Sequence, residues 1–133
     1  MDKAFEETLC RNFFDKRVRD RLAYELSSAK KRGEVLKKLS HTAEDYIRQT
    51  AVQTRFEAPP ELPQIKAFLK TPDCYVISQS ENDGSFSELS AALDLLYQNG
   101  MAYMLISTDG ERAYLETENE FVRHRAYFLI QSL

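Results

Sequence analysis

The chain has no tryptophan, and its 133 residues include only four glycines, four prolines, two cysteines and two histidines. Two cysteines, Cys10 and Cys74, make no disulfide framework, and two reduced thiols in a cytoplasmic protein are the expected state. Neither His41 nor His124 has a Cys, His or Glu at ligand spacing, so no metal site is expected. His41, in Ser40-His41-Thr42, suits a helix surface or cap. Four scattered glycines form no array that feeds a helix N-terminus, which leaves a nucleotide phosphate without its usual cradle. No Gly-x-Ser-x-Gly elbow is present, and no Cys or His stands in a triad context. The longest apolar runs, residues 101–106 and 126–130, fall far short of the roughly 20 residues a spanning helix needs. The first seven residues are acidic and lack the apolar stretch of a secretory signal. These absences point to a small, soluble, cytoplasmic protein with no cofactor, and they lean away from an enzyme.

What is present is enough to build one core. About 43% of residues are apolar and 29% charged, with eight Phe and seven Tyr, a globular composition for one domain. That domain divides into a helical N-terminal part, residues 1–58, and an α/β part, residues 61–133. Net charge is −3 but unevenly placed. Residues 11–39 carry ten Lys or Arg against four Asp or Glu, and residues 61–120 carry three against eleven. Such polarity either satisfies itself within one molecule or faces partners.

Phe5, Leu9 and Phe13, then Phe14, Val18, Leu22 and Leu26, recur near every fourth residue, the stripe of an amphipathic helix. An Asn12 cap would split this stretch in two. Val35, Leu36, Leu39, Ala43, Tyr46 and Ile47 form a second stripe, and together the two predict a helical hairpin turning at residues 28–33. Residues 48–60 carry little pattern and end in Pro59-Pro60. Pro63 suits the first turn of a short helix at 62–69, with Ile65, Phe68 and Leu69 facing inward.

Strand-favouring residues begin at Cys74, over 74–78. Ser85 and Glu88 have capping-box spacing, opening a helix whose face carries Phe86, Leu89, Ala92, Leu93 and Leu96 and which ends at Asn99-Gly100. Residues 101–107 and 112–118 flank Thr108-Asp109-Gly110-Glu111, a hairpin signature with a two-residue Asp-Gly loop. Residues 121–131 read as a last strand, with Val122, His124, Ala126, Phe128 and Ile130 on one parity. Helices followed by β-α-β-β-β give an α+β fold, an N-terminal helical hairpin on a small, mainly antiparallel sheet. A right-handed crossover would set 74–78 parallel to 101–107.

Hairpin register pairs Ile106 with Ala113, Met104 with Leu115 and Ala102 with Thr117 on a core-facing side. The other side then pairs Ser107 with Arg112, Leu105 with Tyr114, Tyr103 with Glu116 and Met101 with Glu118. Tyr103, Leu105, Arg112, Tyr114 and Glu116 together have the composition of a protein-binding patch, unless helices cover them as a second core layer. Glu116 and Glu118, two apart on a strand, are better explained as edge protection than as a general acid–base pair. Ser80, Asn82 and Gly84 resemble a fragment of a calcium loop without its bidentate Glu, and the flanking Glu81 and Glu88 repel phosphate.

The expected function is therefore a nonenzymatic protein-binding or regulatory module, such as a small inhibitor or immunity-type antagonist, with a protein partner or a second copy of itself. An acidic half suits basic partners such as nucleases. The alternative is a nucleic-acid-associated protein gripping the phosphate backbone through Arg17, Arg21, Lys31 and Arg32. No membrane partner is expected.

Overall fold

Asp2 starts the first helix. In the computed structural model, which describes residues 1–96, 102–118 and 125–131, its carboxylate accepts the Phe5 N–H at 3.0 Å, the usual way an exposed helix start satisfies a free donor. Helix α1 spans Lys3–Phe13, and α2 spans Arg19–Ser27. The break between them lies at Phe14, which is extended and bridges to Ile47, and at Asp15, whose carboxylate accepts the Arg17 N–H. Asn12 caps neither helix: its side-chain N–H donates to the Gly110 carbonyl at 2.9 Å in a buried contact. A tight turn over residues 28–31 leads into α3, Arg32–Tyr46, which departs from helical geometry at Thr42. The expected helical hairpin is thus α2 and α3, with α1 packed beside α2.

The strand β1, Val52–Phe56, occupies a stretch whose pattern suggested nothing. It is five residues long, holds polar Gln53, Thr54 and Arg55, and its register shifts between Val52 and Thr54, features suited to a protected sheet edge. Helix α4, Leu62–Leu69, is as expected, with Pro63 in its first turn and a capping box between Glu61 and Gln64. Strand β2 is Asp73–Ile77.

Here the chain differs from its reading. Phe86–Glu88 forms a strand, β3, paired with β2, and α5 begins only at Leu89. Its first N–H groups, of Ser90 and Ala91, donate to the Glu88 carboxylate at 3.1 and 3.0 Å, so Glu88 caps the helix where Ser85 was expected to. Strand β4 is Tyr103–Ser107, β5 Arg112–Glu116 and β6 Ala126–Ile130. The sheet order is β1-β6-β5-β4-β2-β3, and every described pair is antiparallel. That corrects the expected parallel pairing of β2 with β4. Because β3 turns the chain back before α5, the helical crossover joins β3 to β4, which run parallel on either side of β2.

The β4–β5 register is the expected one: Tyr103 with Glu116, Met104 with Leu115, Leu105 with Tyr114, Ile106 with Ala113. The loop is four residues where two were read, closed by the Gly110 N–H to the Ser107 carbonyl at 2.8 Å. Gly110 sits at φ 75°, which a side chain would strain. The expected Asn99-Gly100 cap, the Met101–Glu118 pair and the Val122 and His124 positions lie outside the described residues.

The sheet separates two cores. Against one face, α1–α3 pack Leu9, Phe13, Leu22, Leu36 and Leu39 onto Tyr75, Ile77, Met104, Ile106, Leu115 and Leu129. Against the other, α4 and α5 pack Ile65, Phe68, Leu89 and Leu93 onto Val76, Tyr103, Leu105, Tyr114 and Phe128. Each fully buried large apolar side chain contributes roughly 1.5–3 kcal/mol, and a strand buried on both faces reads as the continuous apolar run seen at 103–106. Among the described residues no helix is long and apolar enough to cross a membrane.

Candidate functional site

The hairpin patch read as partner-binding lies inside the second core. Tyr103, Leu105 and Tyr114 are buried, at 2% exposure or less. Helices α4 and α5 cover them, so they offer no surface to a partner. The Tyr103 and Tyr114 hydroxyls both donate to Glu116 Oε1, at 3.0 and 2.7 Å. Burial, with the Glu116 charge beside it, drives the Tyr114 phenol well above its ordinary pKa, so it is a fixed donor and no acid or base. Arg112 lies with its guanidinium 5.0 Å above the Phe68 ring and donates to the Phe68 carbonyl at 3.3 Å. It fastens α4 to the sheet.

The thiols are equally inert. Cys10 belongs to the first core and Cys74 to the second, so the sheet lies between them, and both are free. Burial, reinforced by nearby carboxylates, pushes each up to about 12, far from the thiolate character that reactivity needs. Among the described residues no group of three His, Cys, Asp or Glu is placed to hold a metal ion.

Arg32, expected on a basic surface, is buried at the junction of α1, α3 and the β2–β3 loop. Its Nη1 and Nη2 each donate to one Glu6 oxygen at 2.7 Å. Nε and Nη2 reach the two Asp83 oxygens at 2.6 and 3.0 Å, and Nη1 also donates to the Leu26 carbonyl at 2.9 Å. All five guanidinium N–H donors are therefore used. Burial opposes the charge, but the hydrogen bonds to Glu6 and Asp83 outweigh it and hold the guanidinium above its usual pKa. The Tyr75 hydroxyl donates to Glu6 at 2.5 Å and accepts the Asp2 N–H at 3.0 Å. This is a structural junction whose guanidinium donors are all spent within the protein, with Asp83 alone of the three charged groups partly exposed.

The other basic residues remain outside. Arg17 and Arg21 have side chains 79% and 75% exposed, lightly tied to Asp15 and Glu25 at 3.1 and 3.8 Å, and Lys31 lies 5.1 Å above the Tyr24 ring. Between α1 and α2 runs a groove of about 410 Å³. Lys3, Glu7 and Arg11 recur every fourth residue to form its α1 wall, and Arg19, Asp20 and Tyr24 form its α2 wall, over a floor that includes Cys10 and Ala23. Lys3, Arg11 and Arg19 make no ion pair with another described residue. Tyr24, 60% exposed, is the most exposed aromatic among the described residues. Sequence reasoning passed over this site because its residues sit on the outer face of each helix, away from the apolar stripes that identified them. The signal was the four-residue recurrence of Lys3, Glu7 and Arg11, and an aromatic, Tyr24, on a face otherwise polar.

No protein-family model matches this chain, and no curated protein or solved structure matches it significantly.

Proposed function

We propose that this chain is a nonenzymatic protein-binding module that receives an acidic polypeptide segment in the α1–α2 groove. The observation that carries the reading is three cations, Lys3, Arg11 and Arg19, that have no carboxylate partner among the described residues and line the groove together with the exposed ring of Tyr24. Arg and Tyr are the side chains that dominate protein recognition, and free cations on a rim steer an acidic partner in. Glu7 and Asp20 in the same groove favour a polypeptide of mixed polarity over a phosphate backbone, which they would repel. Two free, buried thiols suit the reducing cytoplasm.

The test places a photo-crosslinking amino acid at Ser27, in the groove, and at Gln64, exposed on α4. Crosslinks from position 27 to acidic protein segments, lost with Tyr24→Ala and absent from position 64, support the reading. Binding instead to a single-stranded oligonucleotide, falling steeply with salt and lost with Arg17→Ala and Arg21→Ala, would replace it with the nucleic-acid reading.

A further inference from the structure

We draw no further inference here: the strongest candidate, the open edge of the sheet at β3, where Phe86 is exposed and Asp73 stands opposite Glu88, has nothing in the structure to show what covers it.

Discussion

Beyond the apolar cores they share, the two helical layers are fastened to the sheet by different contacts. The α1–α3 layer meets it through a charged junction in which the Arg32 guanidinium at the start of α3 bonds Glu6 on α1, the Leu26 carbonyl of α2 and Asp83 in the β2–β3 loop, while Glu6 also accepts the Tyr75 hydroxyl of β2. The α4–α5 layer uses aromatic contact: Phe68 stacks on Phe128 with ring centres 4.1 Å apart, and Tyr114 meets Phe128 edge-on at 6.0 Å. The Glu116 carboxylate that takes its tyrosine hydroxyls is only partly buried. Charged junctions are geometrically exacting and intolerant of losing one partner, whereas aromatic packing tolerates near-isosteric exchange. The layer that carries the proposed groove is thus the one whose helix positions are fixed by directional bonds.

The sharpest way to break this comparison is Arg32→Met. It strands Glu6, 4% exposed, as an uncompensated charge, and the expected loss is about 3–5 kcal/mol in urea unfolding. Adding Glu6→Gln to that variant should restore part of the loss, so the two changes together cost less than their sum. Strict additivity would mean the junction is not acting as a unit.

A matched pair of smaller changes compares the layers directly. Tyr75 and Tyr114 both donate to a glutamate, one buried and one partly wet. Tyr75→Phe leaves a buried carboxylate short of a donor and is expected to cost about 1.5–3 kcal/mol. Tyr114→Phe leaves Glu116 with the Tyr103 hydroxyl and access to water, and about 0.5–1.5 kcal/mol is expected. Equal losses would show that burial of the acceptor does not separate the two layers.

What the sequence made legible follows the range of the forces involved. Helix α4 was readable because its signals, Pro63 and the Ile65, Phe68 and Leu69 stripe, lie within seven residues. The β4–β5 register was readable from alternation, even though the loop length was misjudged. Strand β3 was missed because three residues carry too little pattern and Ser85 with Glu88 mimicked a helix start. Arg32 was placed with Arg17, Arg21 and Lys31 on a wet surface because its partners Glu6 and Asp83 are 26 and 51 positions away. The patch at Tyr103, Leu105 and Tyr114 was described by its composition alone, and composition does not distinguish a face covered by the chain's own helices from one left for a partner. The groove is the converse case, a surface assembled from two helices by a turn at residues 14–18.

A charge pair outside both junctions sets the lower bound of the comparison. Arg55 on the edge strand β1 donates through Nε and Nη2 to the two oxygens of Glu44 on α3, at 2.9 and 3.0 Å. That hydrogen-bonded partner holds the Glu44 carboxyl down at about 2, from an ordinary 4.5. Since the folded value lies below the unfolded one, the pair's contribution is complete above about pH 4.5 and is lost as pH falls toward 2. Glu44 is 42% exposed at its side chain, so water screens the pair, and Glu44→Gln should cost under about 1 kcal/mol at neutral pH. The gap between wild type and variant should close over that same acid window. A gap as wide at pH 2 as at pH 7 would mean that a hydrogen-bond acceptor, and not charge, is what Glu44 supplies to Arg55 and Gln49. A gap near that of Arg32→Met would mean that a solvent-facing pair holds this layer as firmly as a buried one, which would remove burial as the reason the two junctions differ.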